Sequence, residues 1–270
     1  MSMSPELEGL VSEQAGFLCR SMLEKESTAS RIYVRFLRKA WFRRVAFGIQ
    51  RMITPGVFVH FALRKKLIEE IVRSFLSDGC KQIVVLGAGL DTLAFRLAEE
   101  FPAIHFVEID HPASQAAKQS LLGSVAQLPS NLELIPADLG NDGFVSIPHQ
   151  EEKTGFVAEG LFMYLTEERV KKLLRSLRGP VVFTAMDLDE KGIPCFQQSH
   201  DSVRWWLRFR SESFQWGCRP ENMKSFLGDI GKNLHLTAGK VHLIGHFLGP
   251  KGIKAEVAAG EWIYAANEYF

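Results

Sequence analysis

Two glycines and three acidic residues fall where apolar runs end, and their spacing is the first sign of chemistry in this chain. Gly87 and Gly89 lie in VVLGAGLDT, directly after the β-branched stretch Ile83 to Leu86. Glycine at both positions lets the backbone turn tightly and lets a ligand approach where a Cβ would collide. Leu90, Leu93, Ala94 and Leu97 then recur at helical spacing until Phe101-Pro102, and such a helix would aim its first amide donors at that ligand. A second apolar run, Ile104 to Ile109, ends in Asp110. An acid about twenty positions past the glycines, at the end of the second strand, can accept both hydroxyls of a ribose. Strand, glycine turn, helix, strand and terminal acid in one unit predict an adenosine-type site, against the plainer reading of a tight turn with no ligand.

The sixth position of the turn separates the nucleoside cofactors. A dinucleotide fold places a third small residue there, for close helix packing under a pyrophosphate. This chain has Thr92, preceded by Asp91. A carboxylate at the helix start repels a pyrophosphate and suits a cationic ligand. S-adenosylmethionine carries a sulfonium and an ammonium, so the charge pattern favours it over NAD.

The elements that must position these residues are legible as alternating apolar runs and helical patterns. Leu132 to Ile135 is a third strand, closed by Pro136-Ala137-Asp138-Leu139, and Phe156 to Glu159 is a fourth. Ligands of open α/β sheets sit at the carboxyl ends of the strands near the switch point, which puts Glu159 where chemistry should happen. Val181 to Met186 is a fifth strand, ending at Asp187, and Val57 to Phe75 reads as the helix that leads into the first strand. Leu234 to Ala238, Val241 to Phe247 and Trp262 to Asn267 read as late strands. Strand-like neighbours and Gly245 then argue against a metal-binding helix carrying His242 and His246. Thr166 is placed to cap the helix after the fourth strand, with Arg169 starting its exposed side.

Upstream, Glu8 to Lys25 is a candidate helix. From Ser27 to Ile68 there is no acidic residue, but Arg31, Arg35, Arg38, Lys39 and Arg43 share one helical side opposite Val34, Leu37, Trp41 and Val45. A solvated lid helix, a guide for an anionic substrate and a membrane-surface contact all fit that pattern. Lys65 and Lys66 read as solvated. Between Leu188 and Pro220 the periodicity weakens and Phe196, Trp205, Trp206, Phe209, Phe214 and Trp216 gather, as a pocket wall or as the core of a helical insert.

With 270 residues, 46% of them hydrophobic, and a net charge of +1, the composition is that of an ordinary soluble protein and offers no global charge argument for nucleic acid. Cys19, Cys80, Cys195 and Cys218 form no C-x-x-C pair and read as free thiols of a reducing compartment. The N-terminus lacks a signal-peptide pattern, and no apolar run reaches membrane-spanning length. A cytoplasmic location without stable membrane insertion is the expectation.

VVLGAGLDTLAFRL, FVEIDHP, PADL and AEGLFMYL, in that order, resemble the leucine carboxyl methyltransferase family, which includes polyketide-type O-methyltransferases. The resemblance covers about Arg64 to Leu177. It implies an α/β fold: the class I methyltransferase Rossmann-like sheet of about seven strands, the last ones antiparallel, with an N-terminal helical lid over 1–78 and the S-adenosylmethionine domain over 79–270, carrying an insert at about 188–228. It further implies that Arg64 pairs with the donor's carboxylate and that Asp138 accepts from the adenine amino group with help from the Leu139 backbone. Glu159 would face the methionine ammonium, and Gly87, Ala88, Gly89, Asp91, Thr92, Asp110 and His111 would line the same site. The activity implied is O-methylation of a small-molecule acceptor, with Glu159 a catalytic candidate acting mainly by positioning. The lack of a dedicated His-Asp pair and the basic N-terminal residues favour an anionic carboxylate over a hydroxyl or phenol. Tyr164 is either a second catalytic candidate reaching the pocket or a packed aromatic, and no metal is expected. A non-catalytic or membrane-peripheral protein on the same fold is the alternative, and an NAD-type oxidoreductase the third reading. The stretch SESFQWGCRPENMKSFLGDIG resembles a family segment that runs toward the acceptor. The chain departs from the family where an aspartate-proline pair often follows the first helix, reading STASRIYVRF instead.

Overall fold

A computed structural model describes residues 55–123, 126–140, 153–197, 213–249 and 256–268. The candidate helix Glu8 to Lys25, the basic residues from Arg31 to Arg51, and Trp205, Trp206 and Phe209 lie outside the described residues.

A parallel strand covered on both faces needs apolar side chains in both directions, and the first apolar runs meet that demand. Strand β1 (Gln82–Leu86) and β4 (Thr154–Ala158) are buried at every residue, as is β5 (Val181–Met186). Along β1, Ile83 and Val85 enter the core on one face, while Val84 and Leu86 enter the core on the other. With β2 (His105–Asp110), β3 (Leu132–Pro136), β6 (Lys232–Ala238) and β7 (Glu261–Glu268), they make one seven-stranded sheet ordered β3-β2-β1-β4-β5-β7-β6. The first five strands are mutually parallel, and β7 runs antiparallel between β5 and β6. Order and sense agree with the expected sheet. Chain order reverses between β1 and β4, so the ligand-binding edge is the carboxyl end of that pair.

Helices α1 (Val57–Ser77) and α2 (Leu93–Glu100) supply one core face, and α3 (Pro112–Gly123) follows β2. Helices α4 (Glu167–Ser176) and α5 (Pro220–Gly228) supply the other face. Val59, Leu63, Leu67, Ile68 and Val72 seat α1 against the sheet. Among the described residues no helix is long and apolar enough to cross a membrane.

Three local expectations are corrected. The run read as a strand from Val241 is a helix, α6 (Lys240–Phe247). Its buried Leu243 and the partly buried Ile244, Phe247 and Leu248 form one helical side packed on the α1 face, a pattern that a short apolar run conceals. This helix brings the His242 and His246 rings together at 5.8 Å, and His246 Nε2 lies 2.8 Å from Glu70 Oε2. No cluster of three or more metal-ligating side chains occurs among the described residues. Second, Leu90 precedes its helix and is exposed, because the turn runs two residues further before α2 starts. Third, Thr166 occupies the cap of α4 but its side chain makes no cap bond; Glu167 and Glu168 in the first turn complement the helix dipole instead.

Candidate active site

The turn after β1 uses its two glycines differently. Gly87 has φ 67°, its N–H donates to Ile109 O at 2.8 Å, and a Cβ there would fall 3.0 Å from Leu161 Cδ1. Gly89 has φ 50°, and a Cβ there would meet nothing within 4 Å. One glycine therefore permits packing, and the other keeps open space at the strand edge. Ala88 between them is buried.

The first amide of α2 is not aimed at a ligand as expected. Asp91 takes it, accepting from Leu93 N–H through Oδ1 at 2.9 Å, while its Oδ2 binds Lys65. Burial acts to raise the Asp91 pKa, but Lys65 outweighs it and holds the carboxyl well below the usual range. Thr92 is buried beside it and makes no side-chain cap bond.

Asp110 ends β2 and is fixed by backbone. Its Oδ1 accepts from His111 N–H at 2.6 Å and its Oδ2 accepts from Gly89 N–H. Each oxygen keeps a second lone pair, the geometry two vicinal hydroxyls require. The exposed His111 turns its Nδ1 to Ala113 N–H at 3.2 Å, capping α3. Ala137 N–H donates to Asp110 O at 2.7 Å, which sets the ends of β2 and β3 side by side. Exposed Asp138 closes a turn by accepting from Gly140 N–H at 2.8 Å, with Leu139 half-buried between them.

Across the switch point the chemistry is ionic. Glu159, directly after β4, receives Arg64 Nε at 2.9 Å, Arg64 Nη2 at 2.6 Å and Lys65 Nζ at 3.1 Å, all on Oε1. Arg64 Nη1 donates to Glu261 Oε2 at 2.5 Å, and its guanidinium lies 4.6 Å from the Phe61 ring centroid. Burial alone would lower the Arg64 pKa, but Glu261 and then Glu159 reverse that and raise it. Lys65 follows the same logic, with burial opposed by Asp91 and Glu159. Lys65 is thus not the solvated charge expected, because its stem lets the ammonium reach two acids. Lys66 sits over the Phe247 ring at 5.2 Å.

Two members of this cluster escaped sequence reasoning. Glu261 and His60 are fully buried, with His60 Nε2 3.0 Å from Glu261 Oε2. Burial would raise the Glu261 pKa, yet Arg64 and His60 bring it down to about 2. An acid leading an apolar strand, and a histidine inside VFVHFAL, were the available signals. Tyr164 lies apart from them in a short turn, Phe162–Tyr164, packed edge-on against Phe214 at 5.7 Å. Asp187, after β5, accepts from Leu188 N–H, Gln197 Nε2 and the Trp262 indole.

Asp91, Asp110, Asp138 and Glu159 thus occupy the carboxyl ends of four successive parallel strands, and Arg64 and Lys65 enter from α1. This edge would repel a pyrophosphate and suits a ligand with hydroxyls at one end and a zwitterion at the other.

Similarity to known proteins follows the same blocks. Residues 25–178, more than half of the chain, match the model of the family described as leucine carboxyl methyltransferase. A Bacillus subtilis protein provisionally named an S-adenosyl-L-methionine-dependent methyltransferase is 33% identical over 119 residues, 42% of this chain and 39% of that protein. A similarly named Mycolicibacterium gilvum protein is 31% identical over 159 residues, 54% of this chain and 61% of that one. The matches therefore span less than two thirds of these relatives. Among solved structures, a mitomycin 7-O-methyltransferase aligns with TM-score 0.49 and 12% identity, covering 98% of this chain and 69% of that one.

Proposed function

Since the chain belongs to the leucine carboxyl methyltransferase family, we propose that it transfers the methyl group of S-adenosylmethionine to an oxygen of a small molecule, a carboxylate before a phenol. The observation that carries this is the pairing, on one sheet edge, of the amide-held Asp110 with the ion cluster around Arg64 and Glu159.

The residues fit such a donor. Asp110 would accept the ribose hydroxyls over the open face of Gly89. Asp138 and the Leu139 backbone would meet the adenine. Arg64 would take the carboxylate through a two-pronged guanidinium contact, and Glu159, whose contacts to both cations run through Oε1, would turn Oε2 to the ammonium. When bound, the donor supplies a sulfonium-activated methyl group. The protein then has to align, crowd and dry the reacting pair rather than create a nucleophile.

A carboxylate acceptor favours this reading of the cluster. It is ionised at neutral pH and needs no general base, and His60 is buried with Nε2 already on Glu261. A protein on this fold that only binds would keep donor affinity without turnover. Calorimetric titration with S-adenosylhomocysteine, with NADH in parallel, tests the donor. A screen of carboxylic acids and phenols with methyl-labelled donor tests the acceptor. Binding of NADH but not S-adenosylhomocysteine would sink the donor assignment, and turnover of phenols alone would sink the carboxylate.

A further inference from the structure

We infer that Glu261, held by His60, is a positioning residue that fixes the orientation in which Arg64 meets the carboxylate of the donor's amino-acid half; the assignment rests on the donor reading above. Arg64 spends its guanidinium on two acids with very different freedom. Glu159 is at the rim, its side chain 9% exposed and shared with Lys65. Glu261 is at 0%, between the Arg64 Nη1 and the His60 ring. A ligand carboxylate needs the Nε and Nη2 edge of Arg64, which Glu159 holds. Glu159 can yield that edge because Oε2 can take the ligand ammonium in exchange. Glu261 cannot leave, so the Nη1 corner stays pinned while the opposite edge changes partner.

The backbone around Glu261 is built to keep it there. Gly260 before it has φ 108°, and a Cβ there would lie 2.6 Å from Cys195 O. The start of α1 is clamped to the segment leading into β7. Ala258 N–H donates to Gly56 O at 3.2 Å, and a Cβ on Gly56 would fall 2.3 Å from Glu256 O. His60 N–H donates to the same Gly56 carbonyl at 2.9 Å. Gly56 therefore registers the helix carrying Arg64 against the segment that leads into Glu261, and Gly260 seats the start of that strand on residues 195–197; neither can take a side chain without moving backbone.

Removing the Glu261 charge could in principle strengthen binding of an anion at Arg64. The donor end is a zwitterion, however, and the lost negative field acts oppositely on its carboxylate and its ammonium. The orientation of Arg64 is then the larger loss. The test compares two probes, S-adenosylhomocysteine and 5′-methylthioadenosine, which keeps the nucleoside and lacks the amino acid. Glu261→Gln is expected to weaken S-adenosylhomocysteine by about tenfold or more and to leave 5′-methylthioadenosine within about twofold. Glu261→Asp, which keeps the charge but draws it back, should recover part of the loss. Should thermal melting show Glu261→Gln unfolded, His60→Gln replaces it, with a smaller loss of the same selective kind. Wild-type protein that binds neither probe overturns the donor reading itself. Wild-type binding with both probes weakened alike, neither weakened, or S-adenosylhomocysteine tightened overturns the positioning role alone.

Discussion

The two halves of the sheet edge solve the problem of a fixed carboxylate in opposite ways. On the β1–β2 side, Asp110 is held by two backbone amides, those of Gly89 and His111, one on each carboxylate oxygen. On the β4–β7 side, Glu159 and Glu261 are held by ion pairs with Arg64 and Lys65, and Glu261 by the His60 ring as well. Backbone donors fix direction and stay with the strand. Ion pairs in a buried setting fix charge and leave a partner that can be exchanged. A neutral sugar needs the first arrangement and a zwitterion the second.

That contrast makes Arg64→Met the most damaging single change. It leaves Glu159 with Lys65 alone and the fully buried Glu261 with His60 alone, so stability should fall by about 3 kcal/mol or more, read from urea unfolding. The same substitution at Arg178, whose pair with Glu268 is largely in solvent, should lower stability by no more than about 1 kcal/mol.

Asp110→Ala breaks the other half. Losing a charged acceptor of ligand hydroxyls should cost about 1–3 kcal/mol of affinity. Because the loss lies in the nucleoside part, titrations should show S-adenosylhomocysteine and 5′-methylthioadenosine weakened together. Equal weakening by Asp110→Ala and selective weakening by Glu261→Gln would separate the halves; selective weakening by both would merge them.

How far these halves were visible in the chain differs for a physical reason. β1 to β5 were legible to within a residue or two. β1, β4 and β5 are buried along their whole length and β2 along most of it, so each is a compact apolar run ended by a glycine or an acid. The half-exposed edge strand β3 was marked by its own short apolar run and the proline that closes it. Gly87, Gly89, Asp110 and Glu159 were legible with them, being those ends. Glu261 was not, because its relevance comes from topology. β7 is antiparallel, so its first residue lies opposite Met186, the last residue of β5, and enters the edge where parallel strands finish. Nothing local to EWIYAANE announces that pairing. KVHLIGHF was misread because its β-branched and apolar residues fit a strand, and its helical side shows only when Leu243, Ile244, Phe247 and Leu248 are taken against α1.

The ionic half should also respond to acid. The Glu261 pKa lies at about 2 against an ordinary 4.5, so the folded state binds this proton less readily than the unfolded one. Its stabilisation is complete above the unfolded value and is lost as pH falls from about 4.5 toward 2. Denaturation midpoints of wild type should drop across that window, and those of Glu261→Gln should drop less steeply. Parallel curves would mean that the charge of Glu261 contributes nothing that depends on its native partners.

Gly89→Ala gives a small effect on the fold and the finest probe of the nucleoside half. At φ 50° an L side chain costs about 1–2 kcal/mol, yet its Cβ would touch nothing within 4 Å, so unfolding should show that backbone cost and no more. Gly87→Ala meets the same cost plus the Leu161 side chain and should be the less stable of the two. For binding the order should reverse. The open direction at Gly89 is where the ribose would approach Asp110, whereas the space at Gly87 is already taken by Leu161. A Gly89→Ala protein that kept full affinity for 5′-methylthioadenosine would place the nucleoside somewhere other than over this turn.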